Sequence, residues 1–500
     1  MSPSVSSPFV GALKTLKRPD LFIADAFVAG QWVSPTSTFP VYEPSTGQVL
    51  GSVANMTRDD FVTAIKSADK GYRAYSTSTT AHERSALLRK WYDLIMQNKE
   101  DIATILVLEN GKTYAEAVGE VAYAASFVSW FSEEASRAYG DVIPSSMPNT
   151  TVMTMKQPVG VCGIITPWNF PAAMITRKIA PALAVGCSVV IKPPSETPYT
   201  AAALVKLAVE AGLPADVIQL LPTKDREAAT EICTSPIVKK VSFTGSTKVG
   251  IHLSKLAMGT MKKVSMELGG NAPFIVFEDA NIDLAVQGAM VCKFRCSGQT
   301  CVCANRIFVQ KSVAKEFTAK LVAEVEKLKV GYGLDKETTQ GPLVNRNGVE
   351  KVKQHIEDAL AKGARLETGG GVPKDVDPSG FFILPSVLSG VTTDMMVASD
   401  ETFGPLAPIF EFETEEEAIS MANNTEFGLA GYFFSTNIGR CLRVASALEC
   451  GLVGVNTGKI SAAESPFGGV KQSGVGREGS MYGLAEYYVI KAVTIGNTNA

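Results

Sequence analysis

Histidine is scarce in this 500-residue sequence, where only His82, His252 and His355 occur. Residues so few and so far apart do not easily build a histidine zinc site or a serine–histidine triad. The nine cysteines include no C-x-x-C pair, which disfavours a thiolate zinc or cluster site. We therefore predict no bound metal. Five scattered cysteines in apolar surroundings indicate core residues in a reducing compartment. They are Cys162, Cys187, Cys233, Cys441 and Cys450.

Long hydrophobic runs and basic blocks are also missing. The longest apolar stretch, residues 180–191, is shorter than the roughly 20 residues that a membrane helix needs. The formal net charge is -3, with no basic patch, so we expect neither a membrane nor a nucleic-acid partner. The segment 1–19 contains serines and no acid, a weak sign of a mitochondrial presequence, but arginine is scarce. We predict a disordered tail there and a cytoplasmic protein, with the mitochondrion as the alternative.

The sequence does contain a regular alternation of short β-branched runs and longer amphipathic stretches. Its length and 46% hydrophobic composition suit two or three domains with full cores. Alternating strands and helices predict parallel sheets with right-handed crossovers, hence two α/β domains joined near residues 267–271. Predicted strands lie at 159–165, 188–191, 217–221, 238–243, 274–277 and 307–310. Predicted helices lie at 58–71, 81–130, 172–185, 199–211, 226–234, 282–294, 314–328 and 348–362.

Two strand-like segments, 141–157 and 487–495, do not fit this alternation. Exposed strand edges are usually paired or covered, so both segments are candidate subunit contacts.

Cys301 is the most informative residue. It follows Ser297, Gly298 and Gln299, small or polar neighbours that suit an accessible thiol. A cysteine attacks only as thiolate, so its use depends on access and on groups that lower its pKa from about 8.5.

Polar residues at predicted strand ends supply candidate partners. Asn169, framed by prolines after the first strand of the alternation, could stabilise an oxyanion, although a proline-framed turn is the simpler interpretation. Lys192 and Ser195 follow the next strand, where dinucleotide folds bind the adenosine ribose; a solvated loop is the alternative. The segment 243–250 runs from a strand through Gly245 into a helix start that suits a pyrophosphate.

Of two further segments, one supplies a candidate catalytic residue and the other does not. Glu267 lies on an otherwise apolar strand, where desolvation would raise its pKa and allow general-base chemistry; a surface acid at a domain join is the alternative. The segment 474–479 matches G-x-G-x-x-G, but no strand precedes it and no acid follows at the required spacing, so we reject it as a nucleotide fingerprint.

These segments together resemble the NAD(P)-dependent aldehyde dehydrogenase superfamily, in the same order, from about residue 21 to residue 495. The matching blocks are 166–171, 243–250, 266–271, 298–301, 401–405 and 466–469. The resemblance implies a fold of two doubly wound parallel-sheet domains with a small β oligomerisation arm. The implied divisions are a cofactor-binding domain at 20–139 and 158–267, a catalytic domain at 268–477, and an arm at 140–157 and 478–500.

The resemblance also assigns roles. Cys301 becomes the nucleophile, Glu267 the general base and Asn169, with the Cys301 amide, the oxyanion hole. The aldehyde forms a thiohemiacetal, then a thioester that water hydrolyses. The implied cofactor-binding residues are Thr166, Pro167, Trp168, Lys192, Ser195, Gly245, Ser246, Val249, Leu268, Glu401 and Phe403.

More narrowly, the blocks 174–178, 293–303, 458–461 and 469–474 look like succinate-semialdehyde dehydrogenases. In that subfamily Arg177, Arg295 and Ser461 would hold the substrate's distal carboxylate, which suits the bidentate bonds that arginine forms. Taken alone, either arginine fits an ordinary surface or interface ion-pair residue better than a substrate contact. Cys296 and Lys459 depart from the subfamily, so glutarate semialdehyde or a neutral aliphatic aldehyde is the alternative substrate.

Cofactor and regulation follow from two local features. Ser195 stands where NAD-preferring relatives carry an acid, so we predict that NADP is preferred and that NAD is also used. Cys303 is a candidate redox partner of Cys301, because residues two apart on a strand face the same way; a packing role is the alternative. We expect a homo-oligomer, dimer or tetramer. Rival classes are a catalytically silent structural protein and a thiolate-metal protein.

Overall fold

The structure is a computed structural model, and it describes residues 8–497. Helices and strands alternate through most of this range. The helices are α1 Pro8–Leu13, α2 Arg58–Ser78, α3 Ala81–Gln97, α4 Lys99–Asn110, α5 Tyr114–Glu134, α6 Pro171–Val185, α7 Pro198–Glu210, α8 Arg226–Thr234, α9 Thr247–Met258, α10 Ile282–Ala289, α11 Lys311–Val325, α12 Arg346–Ala361, α13 Met396–Ser399, α14 Glu415–Asn423, α15 Ile438–Ala447 and α16 Ser480–Ala485.

The strands form two large sheets and three small ones. They are β1 Ala26–Val28, β2 Gln31–Val33, β3 Thr38–Tyr42, β4 Val49–Ala54, β5 Val142–Ile143, β6 Thr150–Pro158, β7 Val161–Ile165, β8 Ser188–Lys192, β9 Ile218–Leu220, β10 Val238–Thr244, β11 Lys263–Glu267, β12 Ala272–Val276, β13 Ala304–Gln310, β14 Arg365–Thr368, β15 Ser386–Ser389, β16 Leu406–Phe412, β17 Phe427–Gly428, β18 Ala430–Phe434, β19 Leu452–Val455, β20 Val470–Lys471, β21 Gly474–Val475 and β22 Tyr488–Gly496.

The first large sheet has the strand order β2-β1-β9-β8-β7-β10-β11-β21. Its five central strands are parallel, and β1, β2 and β21 add antiparallel edges. The second has the order β14-β15-β16-β13-β12-β18-β19 and is parallel except for β14. Both sheets are covered by helices, so their inner strands are buried and read as apolar runs. The predicted α/β class with two parallel sheets is confirmed.

Local signals set the helix ends. Pro171 occupies the first turn of α6, where a missing N–H costs nothing, and Gly186 ends that helix at φ 98°. The predicted helix 81–130 is three helices. The breaks are marked by Asn98 and by Gly111, whose φ of 88° suits glycine.

A separate three-stranded antiparallel sheet joins β5, β6 and β22. The strands β6 and β22 pair along their whole length, from Tyr488 opposite Pro158 to Gly496 opposite Thr150. The two segments predicted to lie outside the alternation therefore pair with each other. Several of their apolar side chains stay exposed, including Val142, Met155 and Ile490.

The predicted disordered tail needs correction. Residues 1–7 lie outside the described range, but α1 follows at once, and Phe9 and Leu16 are buried against the first core. The carboxylate of Asp101 accepts the backbone N–H groups of Lys17 and Arg18 at 3.2 and 2.6 Å. Burial of these two apolar side chains orders residues 8–19, so the prediction of disorder is wrong for that part of the tail.

Candidate active site

Cys301 lies in a turn between a distorted helix end and β13. Residues Cys296, Ser297 and Gly298 all have positive φ, and a Cβ at Gly298 would lie 2.1 Å from the carbonyl oxygen of Gly404. The Tyr432 hydroxyl donates to the Val302 carbonyl at 2.7 Å, which anchors the turn from the second sheet. This packing fixes Cys301, a residue that is only partly exposed, beside the second large sheet.

Burial raises the pKa of Cys301 to about 12. Glu267, Glu401 and Glu478 raise it further, while Arg177 opposes them. A raised pKa disfavours the thiolate that nucleophilic attack needs, so activation of Cys301 depends on a base or on a bound ligand that changes its surroundings.

The Glu267 side chain lies at the end of β11 and is buried. Neither carboxylate oxygen has a hydrogen-bond partner among residues 8–497. Burial, and then the charge of Glu478, hold its pKa well above the usual carboxyl range. A Cβ at Gly468 would lie only 2.9 Å from Glu267 Oε1, so the glycine keeps space beside the carboxylate. A buried, unpartnered carboxylate with raised pKa suits a general base.

Asn169 is tied directly to the cysteine loop. Its Nδ2 donates to the Gln299 carbonyl at 2.9 Å, which leaves one amide proton for another acceptor. Its backbone carbonyl accepts from Lys112 Nζ at 2.8 Å, and Lys112 pairs with the buried Glu120. Glu120 also accepts the Ala172 N–H at 2.9 Å, at the start of α6. Sequence reasoning missed this buried pair, because both residues lie within the segment 81–130, which was predicted to be a single helix without functional residues.

A second buried cluster joins Arg177 and Lys178 to Glu478. Both cations form ion pairs with the Glu478 carboxylate, and all three side chains are buried. The Arg177 guanidinium also lies 4.2 Å from the centre of the Phe467 ring. Arg177 is thus already paired in this structure. Sequence reasoning missed Glu478, which lies in the glycine-rich segment rejected as a nucleotide fingerprint. The available signal was the family block at 466–469, because Phe467 of that block pairs with Glu478 through the backbone.

Arg295 differs from Arg177. It is half-buried, its guanidinium lies 5.4 Å from the Phe170 ring centre, and it forms no ion pair within residues 8–497. Its Nε is buried without a hydrogen-bond partner in that range. Tyr123, which sequence reasoning also missed, feels the charges of Arg177 and Arg295: burial raises its pKa and the two arginines oppose that rise. Ser461 is half-buried in the loop after β19.

A cavity of about 850 Å³ opens at the carboxyl ends of the first sheet's strands. Two buried hydroxyls on its wall, Thr166 Oγ1 and Thr244 Oγ1, have no hydrogen-bond partner among residues 8–497. Its size, place and unpartnered donors fit a dinucleotide. Seven of the predicted cofactor residues line it: Thr166, Pro167, Trp168, Lys192, Ser195, Gly245 and Val249.

The other four predicted cofactor residues lie elsewhere. Ser246 precedes the first residue of α9, and Leu268 is buried just after β11. The Phe403 ring meets the Trp168 ring edge-on at 5.5 Å. Glu401 Oε1 accepts the Gly270 N–H at 3.3 Å, and burial raises the Glu401 pKa to about 7.

We predicted that Cys301 and Cys303 lie two residues apart on one strand, and the structure contradicts this. Cys301 and Val302 are in a turn, and β13 begins at Ala304. The Cys303 thiol is buried and points to the Lys293 carbonyl at 3.5 Å. The strand argument for a shared face is therefore wrong, and all nine cysteines are free thiols.

A cysteine, a buried carboxylate and an amide donor, in a fold that also holds a dinucleotide-sized cavity, are typical of an α/β oxidoreductase. The chain matches the aldehyde dehydrogenase family over residues 32–493 and belongs to that family. The predicted resemblance is confirmed.

Three similar proteins illustrate the range of relatives. The mitochondrial succinate-semialdehyde dehydrogenase of Rattus norvegicus is 52% identical, over 95% of this chain and 91% of the relative. The glutarate-semialdehyde dehydrogenase of Pseudomonas putida is 51% identical, over 96% and 99%. The crystal structure of an E. coli NADP-dependent enzyme superposes with a TM-score of 0.94 at 48% identity, over 96% and 100% of the two chains.

Proposed function

We propose that this protein oxidises succinate semialdehyde to succinate with NADP or NAD. The observation that carries the proposal is the half-buried guanidinium of Arg295, which has no carboxylate partner within residues 8–497 although it lies in the loop that carries Cys301. A cation in such a place favours an aldehyde that itself bears a carboxylate. The relative from Rattus norvegicus, named for this substrate, supports the choice.

The reaction begins at the Cys301 sulfur. The Cys301 thiol first gives its proton to the Glu267 carboxylate, which passes it to solvent. The thiolate then adds to the aldehyde carbon, and the carbonyl oxygen becomes an oxyanion. We assign the free Asn169 amide proton and the Cys301 backbone N–H as its donors. A nicotinamide held on its ribose side by Glu401 and Phe403 would supply the hydride acceptor for the former aldehyde carbon, which would leave a thioester on Cys301. Glu267 then takes a proton from water, the resulting hydroxide attacks the thioester, and Cys301 leaves as thiolate. The buried Glu267 carboxylate, free of hydrogen bonds from residues 8–497, suits that step.

Within the substrate pocket, we assign the direct carboxylate bonds to Arg295 with Ser461. Arg177 contributes as part of the cluster with Lys178 and Glu478, because its guanidinium already has a carboxylate partner. The cluster carries a net positive charge that still attracts an anion. The glutarate-semialdehyde dehydrogenase relative favours a one-carbon-longer substrate as the second candidate.

For the cofactor, we propose NADP as the preferred form. Lys192 and Ser195 line the cavity beyond the end of β8, and no carboxylate occupies position 195. Glu196 lies next to them and accepts a hydrogen bond from the Ser195 hydroxyl at 3.1 Å, which leaves room for NAD as well. Glu401 and Phe403 are assigned to the nicotinamide ribose side, and Ser246 and Leu268 to the walls behind the dinucleotide.

The division of the chain remains part of this proposal. We assign 20–139 and 158–267 to cofactor binding, 268–477 to catalysis, and 140–157 with 478–500 to an arm that joins subunits into a dimer or tetramer. Exposed apolar side chains on β5, β6 and β22 support a subunit contact there. We also propose a cytoplasmic location, consistent with nine free cysteines.

The test is kcat/KM for succinate semialdehyde, glutarate semialdehyde and butanal, each with NADP and with NAD. We expect succinate semialdehyde with NADP to give the highest value. A highest value for butanal would overturn the substrate class, and a large advantage for NAD would overturn the cofactor preference.

A further inference from the structure

The loop that leads to Cys301 has an unfavourable backbone conformation. Cys296 and Ser297 have φ values of 51° and 53°, in the left-handed region that is costly for residues with a Cβ. Backbone of this kind persists only where its surroundings hold it, and it is concentrated at functional sites. The contacts that hold Cys296 and Ser297 therefore help to decide where Cys301, a few residues further along the chain, is placed.

Glu116, in the first turn of α5, supplies one of these contacts. Its Oε1 accepts the Cys296 backbone N–H at 2.6 Å, across 180 residues of sequence. An ionised acceptor makes such a hydrogen bond short and roughly twice as strong as a neutral one. The Ser297 hydroxyl donates to the Gly341 carbonyl at 2.7 Å. The strained turn is thus tied to two segments that lie far from it in the sequence.

The other oxygen of Glu116 has an ordinary structural task. Oε2 accepts the Thr113 N–H and hydroxyl at 3.1 and 3.0 Å, which closes a capping box at the start of α5. Glu83 closes the same kind of box on α3, where its Oε2 accepts the Thr80 N–H and hydroxyl at 2.7 and 2.8 Å. Capping therefore accounts for one oxygen of Glu116 and leaves the bond to Cys296 to be explained.

The same end of α5 also holds Asn169, the proposed oxyanion donor. Glu120, one turn after Glu116, pairs with Lys112, whose Nζ donates to the Asn169 carbonyl at 2.8 Å. Asn169 follows β7 of the first large sheet, whereas Cys301 precedes β13 of the second. The two groups that must face one oxyanion thus come from different sheets, and both are tied to the beginning of α5.

We propose that Glu116 is a positioning residue. By holding the Cys296 N–H, it sets the sulfur and the backbone N–H of Cys301 against the Asn169 amide. The oxyanion must lie about 3 Å from both donors, and a displacement of about 1 Å can lower a rate roughly 100-fold. This inference rests on the proposed function and adds to it a residue that sequence analysis did not select.

Matched alanine variants at positions 116 and 83 test the assignment. Each variant loses one capping box, so we expect similar decreases in the thermal unfolding temperature. Glu116→Ala should in addition lower kcat about 10- to 100-fold, by the same factor for succinate semialdehyde and for butanal. The KM for NADP and the dissociation constant for NADPH, measured by nucleotide fluorescence, should stay unchanged. Glu83→Ala should keep the kcat of the parent protein.

Glutamine variants separate the two oxygens of the carboxylate. Glutamine offers one acceptor oxygen, which is enough for a capping box. Glu83→Gln should therefore match the parent protein in stability and in kcat. Glu116→Gln must divide one oxygen between Thr113 and Cys296, so its kcat should lie between those of the parent protein and Glu116→Ala. Because glutamine keeps the size of the side chain, Glu116→Gln carries the test if Glu116→Ala does not fold.

The outcomes distinguish this inference from the proposed function. If the parent protein oxidises aldehydes and the Glu116 variants lose no more kcat than the Glu83 variants, the assignment is overturned while the function stands. A loss for succinate semialdehyde alone would also overturn it, because it would place Glu116 in contact with the substrate carboxylate's site. If the parent protein oxidises neither aldehyde, the proposed function itself fails, and the inference with it.

Discussion

Replacing Arg295 with alanine should change substrate choice more than it changes catalysis. The guanidinium has a buried Nε without a partner in residues 8–497, so its hydrogen bonds are available to the substrate carboxylate. Hydrogen bonds to a charged group contribute about 1.5–3 kcal/mol, which corresponds to roughly 10- to 150-fold in kcat/KM. We expect that loss for succinate semialdehyde and little change for butanal.

A matched control makes this measurement specific. Arg346 lies over the Phe381 ring at 5.4 Å, the same distance that separates Arg295 from Phe170, but outside the loop that carries Cys301. Arg346→Ala should leave the ratio of the two substrates unchanged. Arg177→Met should act differently again, because it removes one cation from the buried Glu478 carboxylate and should destabilise the fold by about 3–5 kcal/mol.

The assay is steady-state kcat/KM with both aldehydes at saturating NADP, together with thermal unfolding of each variant. An equal loss on both aldehydes in Arg295→Ala would refute the reasoning, because a carboxylate contact cannot affect a neutral substrate. A loss confined to Arg177→Met, with native stability, would move the carboxylate contact from Arg295 to Arg177.

Three other perturbations test the remaining assignments. Glu267→Gln should form about one equivalent of NADPH and then stop, and steady turnover of the variant in rapid-quench kinetics would contradict this. In the parent protein, the rate of thioester hydrolysis should rise with pH through the raised pKa of Glu267, because the base works deprotonated. Asn169→Ala should lower kcat about 10²- to 10³-fold while leaving NADPH fluorescence titrations unchanged. Because the Cys303 thiol points to the Lys293 carbonyl, Cys303→Ala should not change how far dithiothreitol restores activity after peroxide treatment; recovery that is lost only in the variant would contradict this.

Much of the fold was predictable from periodicity. The predicted strand 238–243 is β10, Val238–Thr244, and the predicted helix 226–234 is α8, Arg226–Thr234, because β-branched runs and amphipathic spacing are local properties. Two predictions failed. Gly111 ends a helix inside the predicted helix 81–130. Residues near Arg18, predicted to be disordered, are held by Asp101, which lies far from them in the sequence.

The site was predictable only residue by residue. Asn169, Glu267 and Cys301 could each be chosen from their chemistry and their place at strand ends, but nothing local showed that Arg177 would be paired and Arg295 would not. That difference depends on Glu478, some 300 residues from Arg177 along the chain. The strand argument for Cys303 failed for a related reason: the positive φ values at Cys296 and Ser297 turn the chain before β13 begins.

The sequence by itself determined the class of fold and indicated candidates for the nucleophile, the base and the oxyanion donor, because strand-end positions and functional-group chemistry are local properties. Only the tertiary structure decided which charges are neutralised. It buries Glu478 between Arg177 and Lys178 and leaves Arg295 without an ion-pair partner in residues 8–497. The physical reason is that electrostatic energy depends on separation and burial, and neither is fixed until distant segments pack together.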